Sequence, residues 1–249
     1  MRLTRSLYVV GGHCVGLSDT QDCIIYVVAA PEGLIMVDAG GGRDTDAIFR
    51  AMAEEGLDER QLRVLLLTHC HADHAAGAAA IRERTGCAVA ISEKSAHLLE
   101  NGTEIDVRLD LAKAMRIHPP DLVWANCPVD IRLSDGQLLD ILGITVHVFE
   151  VAGHSEDSCC FVMEVDGRKC LFAGDVIQYG GVIGLLNYPG STLDGYRRDL
   201  PKLRGLGIEA LLPAHSLFTM RNGQHHIDSA IERLKSHIVP PTVGQKVFF

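Results

Sequence analysis

In Thr68-His69-Cys70-His71-Ala72-Asp73-His74 the chain places three imidazoles and one carboxylate within seven residues, directly after an apolar run at 64–67. Neutral imidazole beside carboxylate suits zinc, iron and manganese, borderline-to-hard ions, better than copper alone. Side chains two apart on an extended segment share a face, so His69 and His71 point the same way and Cys70 points away from them. Asp73 and His74 open a small-residue stretch at 75–80 that reads as the first turns of a helix, which aims them at a second point nearby. One short segment can therefore serve two adjacent cations. A solvated histidine-rich turn would need no such order of residue types.

Strands and helices that could position these groups alternate along the chain with no low-complexity linker. Residues 23–29 and 33–37 read as a hairpin joined at Ala30-Pro31-Glu32, and 44–55 as a helix with acidic residues in its first turn. A strand at 64–67, a helix at 73–84 and a strand at 88–91 follow, with Gly86 as the break. In the second half, 143–151, 159–165 and 169–172 read as strands, with Asp166-Gly167 as a hairpin turn. Residues 193–203 read as helical despite Pro201, 210–212 as the last strand and 227–237 as a closing amphipathic helix. Periodicity alone gives a mixed α/β chain. Between them, 92–130 carries helical patterning, then the breaker His118-Pro119-Pro120 and the sole tryptophan, Trp124.

The pattern His-x-His-x-Asp-His after an apolar strand resembles the signature of the metallo-β-lactamase-fold hydrolases. Val151-Ala152-Gly153-His154-Ser155 resembles that superfamily's third-histidine motif, Phe172-Ala173-Gly174-Asp175 its bridging-aspartate motif, and Leu212-Pro213-Ala214-His215 its last-histidine motif. The segment 34–40, with Asp38, is similar to its early strand-and-aspartate motif. All occur in the family's order over residues 7–215. Ala214 departs from the glycine of many relatives, but it is small and leaves the ligand in place.

The resemblance implies a four-layer αββα sandwich of two mixed β-sheets flanked by helices, formed by one domain over 1–249, with 92–130 as a variable helical insertion that can cover a pocket. It implies that His69, His71 and His154 hold one metal, that Asp73, His74 and His215 hold the other, and that Asp175 bridges them. Each later ligand follows an apolar strand-like run, which agrees with ligands gathering at strand ends. Asp38 takes a supporting role, orienting ligands without binding metal. The cofactor expectation is two divalent ions, zinc first, with iron or manganese as alternatives.

Two close cations acidify a shared water, so the resemblance implies a bridging hydroxide that attacks an ester, lactone or thioester of a small molecule. Asp73 would orient that nucleophile. Tyr179, four residues beyond Asp175 in a glycine-rich stretch, matches roughly where lactone-cleaving relatives place a tyrosine on the substrate carbonyl, with Tyr188 behind it; Met115, Ile117 and Trp124 are candidate pocket walls. Asp175, in place of Cys or Ser, argues against a true β-lactamase, and phosphodiesterase, nuclease and non-catalytic metal-binding readings rank lower. A mononuclear iron persulfide dioxygenase of the same fold, which shares a Thr-His-x-His-Ala-Asp-His segment, is the principal alternative. His13, His97, His118, His147, His225, His226 and His237 lie outside the motifs and read as surface or loop residues.

Composition narrows the classes. With 249 residues and 47% hydrophobic content the chain can bury a full core. A formal net charge of −9 and the lack of a basic run exclude an electrostatic nucleic-acid binder. No apolar run approaches a membrane span, and residues 1–12 lack the features of a signal peptide, so a cytoplasmic location without a membrane partner is expected. The expected partner is a small-molecule substrate, and a homodimer is compatible with these features. Eight scattered cysteines with no Cys-x-x-Cys pair read as free buried thiols.

Overall fold

The computed structural model describes residues 1–236 and 239–243. Its contacts divide the chain into two compact units, one of Met1–Leu133 with Asp140–Ile144 and the other of Ser134–Leu139 with Thr145–Phe249.

In the first unit a six-stranded mixed sheet runs in the order β1 (Leu7–Gly11), β2 (Ile25–Ala30), β3 (Gly33–Val37), β4 (Leu62–Leu66), β5 (Ala88–Ser92) and β6 (Ile131–Leu133). The first three strands pair antiparallel and the last four parallel. β2 to β5 are almost continuously apolar because their central residues are buried on both faces. Parallel pairing requires crossovers, and helices supply them: α1 (Thr45–Glu54), α2 (Ala72–Ala75), α3 (Ala78–Thr85), α4 (Glu93–Asn101) and α5 (Leu109–Ala114). Asp44 caps α1 by accepting from Ala47 N, while Ile48, Phe49 and Met52 turn inward.

The helix expected at 73–84 is broken at Gly77, where a Cβ would strike the Ala39 carbonyl; the loop after β3 crosses too closely for the helix to continue. The insertion carries α4 and α5 and then an irregular run in which Trp124 is buried while Met115 and Ile117 are half-exposed.

The second unit is built on a five-stranded mixed sheet containing β7 (Leu138–Ile141), β8 (Ile144–Glu150), β9 (Cys159–Val165) and β10 (Arg168–Gly174), followed by the small pair β11 (Ile177–Gln178) and β12 (Val182–Ile183). α6 (Leu193–Asp199) leads to β13 (Ala210–Pro213), which joins the large sheet parallel to β10, and α7 (Gly223–Leu234) closes the unit. Ile227, Ala230, Ile231 and Leu234 of α7 share a core with Phe149, Leu171, Leu200 and Leu211. This helix begins four residues before the expected 227 and ends at Leu234, with Lys235 as its cap; of the expected range only residue 237 lies outside the described residues. Among the described residues no helix is long and apolar enough to cross a membrane.

Candidate metal centre

In the first unit the carboxyl ends of β3 and β4 lie side by side, because Val37 pairs with Leu66 in parallel register. The residues just beyond those ends are Asp38 and Thr68. Asp38 has φ 63°, the left-handed region that an aspartate tolerates better than most residues, and its carboxylate is 1% exposed. It accepts from Thr68 N (2.8 Å), from Thr68 Oγ1 (2.9 Å to Oδ2) and from His74 Nδ1 (3.0 Å).

These bonds assign protons. A carboxylate only accepts, so His74 carries its hydrogen on Nδ1 and keeps the lone pair of Nε2. The single Thr68 hydroxyl hydrogen goes to Asp38, so toward His69 Nδ1, 3.1 Å away, Thr68 accepts. His69 therefore also presents Nε2 as a lone pair, 3.0 Å from His71 Nδ1. His69 and His74 are buried and their rings lie 4.1 Å apart between centroids. Asp73 places Oδ2 3.5 Å from His74 Nε2. Cys23 shares this neighbourhood with Asp38 and His74, and burial pushes its thiol pKa far up, so in the metal-free protein it is a neutral neighbour.

The second unit repeats the design at the ends of its own strands. β8 and β10 are both antiparallel to β9 and thus run the same way, and β13 is parallel to β10. His154, Asp175 and His215 follow the carboxyl ends of β8, β10 and β13. His154 donates from Nδ1 to the Gly184 carbonyl at 2.7 Å, which leaves Nε2 as a lone pair 3.5 Å from Asp175 Oδ2. His215 Nε2 is 3.5 Å from the other oxygen, Oδ1. Gly184 is required here, since a Cβ would strike the Asp175 carbonyl and come within 3.1 Å of His154 Nδ1.

A cation answers the electrostatics of this cluster. The Nε2 lone pair of His154 and a carboxylate oxygen, both electron-pair donors, face each other and repel unless a positive charge lies between them. The donor set is nitrogen and oxygen, suited to zinc, manganese or iron. Asp175 turns its two oxygens to two different imidazoles.

Two residues near these clusters escaped the sequence reading. Tyr196 of α6 is fully buried, its ring lies 2.6 Å from where a Cβ of Gly153 would sit, and its hydroxyl lies near the Gly184 backbone without forming a well-aligned hydrogen bond among the described residues. Burial, with the charge of Asp175 adding to it, holds that phenol pKa well above the ordinary range, so Tyr196 is a neutral donor. An apolar helix face is all the sequence shows at that position. His118, read as a surface histidine, turns its ring toward Asp73, with Nε2 3.7 Å from Oδ1. Tyr179 stacks on His226 of α7 at 4.4 Å between centroids and is 39% exposed.

A family model described as the metallo-beta-lactamase superfamily matches residues 20–215. Among curated proteins the chain is similar to an atrochrysone carboxyl ACP thioesterase of Aspergillus fumigatus, with 26% identity over 92% of this chain and 61% of that protein. It is similar to a hydroxyacylglutathione hydrolase of Albidiferax ferrireducens, with 30% identity over 64% of this chain and 49% of that protein. An acyl-coenzyme A thioesterase of Gallus gallus is 28% identical over 77% of this chain and 71% of its own length. The chain spans 61%, 44%, 49% and 44% of the length of the first four curated relatives it matches. Among solved structures, the subclass B3 metallo-beta-lactamase BJP-1 of Bradyrhizobium japonicum superposes with a TM-score of 0.70 at 23% identity, covering 94% of this chain and 91% of that one. A beta-lactamase from Chitinophaga pinensis gives 0.71 at 19%, covering 94% and 90%. These likenesses establish the shared fold.

Proposed function

This chain belongs to the metallo-beta-lactamase superfamily, and from that membership and its ligand clusters we propose a metal-dependent hydrolase that cleaves an ester-type bond, a thioester foremost, of a small molecule. The observation that carries the reading is Asp175, whose two oxygens face His154 and His215 separately. Thioesters rank above lactones because four of the similar curated proteins are thioesterases by name.

In this reading His69, His71 and His154 would hold one ion, Asp73, His74 and His215 would hold the second, and Asp175 would serve both. Two divalent cations, once bound, supply Lewis acidity and a water acidified toward neutral pH. Asp38 keeps His74 in the tautomer that presents Nε2, and through Thr68 does the same for His69. The Gly184 carbonyl performs that service for His154. Asp73 orients the attacking water.

The test begins with elemental analysis of protein purified anaerobically without added metal or chelator, followed by a panel of acyl thioesters, esters and lactones. Two ions per chain, hydrolysis lost on chelation and restored by metal, and loss of turnover in His71→Ala support the proposal. Undiminished turnover in His71→Ala sinks it. A single iron with no second ion taken up replaces it with oxygen chemistry on a sulfur substrate.

A further inference from the structure

The two oxygens of Asp73 have different neighbours. Oδ2 faces His74 Nε2 at 3.5 Å, and Oδ1 faces His118 Nε2 at 3.7 Å. His118 belongs to the insertion, far from the metal motifs in sequence, yet its side chain is only 13% exposed and that of Asp73 only 17%. Such shielding strengthens a contact that would be weak at the surface.

The ring is held from behind. Its Nδ1 lies 2.9 Å from Gln21 Oε1, and turning that amide over about its last torsion brings the NH2 to the same place; in that setting Gln21 donates to Nδ1 and the neutral ring carries its hydrogen on Nε2, toward Asp73. The neighbouring backbone donates from Cys23 N to the Asp73 carbonyl at 3.2 Å, so the 21–23 segment steadies both partners. Pro119 and Pro120 restrict the chain immediately after His118, and the proline at 119 disfavours helical backbone at His118 itself. Beyond them the segment is pinned: Arg43 reaches Asp121 at 2.8 Å and Asp19 at 3.3 Å, and Leu122 is fully buried. A ring presented by a stiff, anchored backbone loses little freedom in making its contact.

We propose that His118 is a positioning residue for the metal centre, donating from Nε2 to Asp73 Oδ1 and thereby fixing the carboxylate plane so that Oδ2 points where His74 Nε2 points. The contact closes from 3.7 Å to a hydrogen bond with a sub-ångström shift. Hydrogen-bonded carboxylate ligands are the rule in metal sites, and here the insertion supplies the donor. The inference rests on the reading of Asp73 as a ligand given above.

The experiment is a zinc titration against a chromophoric chelator, with a parallel cobalt(II) titration followed by visible absorption, on the wild type, His118→Leu, His118→Gln and Gln21→Leu. The Gln side chain keeps an N–H donor near the Nε2 position. Removing the donor in His118→Leu is expected to weaken the second ion by about 10–100-fold, leave the first unchanged and alter the cobalt bands of the second site. His118→Gln is expected to restore affinity and bands toward wild type, and Gln21→Leu to weaken the second ion less than His118→Leu. Wild-type affinities and spectra in both leucine variants overturn the role of His118 while leaving the hydrolase reading intact. A wild-type protein that takes up no second ion overturns Asp73 as a ligand, and this inference with it.

Discussion

Replacing Asp38 with alanine tests the scaffold beneath the proposed ligands without touching a ligand. The substitution removes the acceptor for three donors, Thr68 N–H, Thr68 O–H and His74 Nδ1–H, in a place where Asp38 and His74 are at most 1% exposed. The threonine hydroxyl can rotate, so two donors are firmly orphaned, each at about 1–3 kcal/mol. Alanine must also adopt the left-handed backbone that Asp38 holds at φ 63°, which adds about 1–2 kcal/mol. The sum, about 3–8 kcal/mol, is comparable with the whole stability of a typical domain. Asparagine tolerates that backbone and keeps one acceptor oxygen, so Asp38→Asn is expected to lose only about 1–3 kcal/mol. It nevertheless turns an NH2 toward one of the former donors, which frees His74 to move its hydrogen to Nε2. The assay is urea denaturation followed by circular dichroism in the presence of chelator, so that stability is read without metal, and then metal titration of the asparagine variant. If Asp38→Ala unfolds within about 1 kcal/mol of wild type in chelator, the network is not holding the strand ends and the tautomer argument fails.

Gly184→Ala places a methyl against the Asp175 carbonyl and His154 Nδ1, and is expected to cost about 1–3 kcal/mol and to loosen metal binding; an alanine variant with wild-type thermal stability and zinc affinity contradicts the close approach. Tyr196→Phe deletes a buried hydroxyl that forms no well-aligned hydrogen bond among the described residues, so the metal-free variant should be as stable as wild type or more so, by up to about 1–3 kcal/mol; a clear loss in thermal denaturation would show that its contact with the Gly184 backbone is a true bond. The fourth prediction concerns His226, which accepts from Gly180 N at 3.1 Å and whose pKa is lowered by burial and then by His225. Because the folded state resists protonation, this stabilisation is present above the ordinary imidazole pKa of about 6.5 and is lost as pH falls below it. Protection of the Gly180 amide against hydrogen exchange, corrected for intrinsic rate, should drop across that window, and a flat profile would refute the coupling.

The strands of both sheets are legible in the sequence where burial on both faces makes them continuously apolar: 33–37 and 159–165 coincide with β3 and β9, and the others agree within a few residues. β1 is missed although it is wholly buried, and β6 and β7 are missed because they are short and carry exposed residues, giving too few positions for a period to emerge. The break at Gly77 is invisible locally, since it comes from the loop after β3 passing close to it. The chemistry divides in the same way. The ligand motifs are legible because each sits at a strand end with its type and order intact. His118 is not, since its significance lies in a contact with Asp73 made by an insertion that sequence order keeps distant. Tyr196 looks like any aromatic on an amphipathic helix, and the contact of Tyr179 with His226 of α7 joins residues that sequence order keeps apart.

What fixes the proposed ligands in each unit is the protein itself, not the ion. His154 is held in one tautomer by a backbone carbonyl, His69 by a threonine hydroxyl, and His74 by a carboxylate that also anchors the end of β4. An imidazole whose second nitrogen is already committed pays little ordering entropy on binding metal. The cysteines could have competed as softer ligands, and eight of them make that a fair question. In the metal-free protein burial pushes the thiol pKa of Cys127 up to about 11 and of Cys170 up to about 12, and raises that of Cys23 beside His74 as well, while Cys14 is exposed. The residues gathered at the strand ends after β4, β8, β10 and β13 offer chiefly imidazole nitrogen and carboxylate oxygen, a donor set that favours a hard or borderline ion with Lewis-acid chemistry over a thiolate-bound structural zinc.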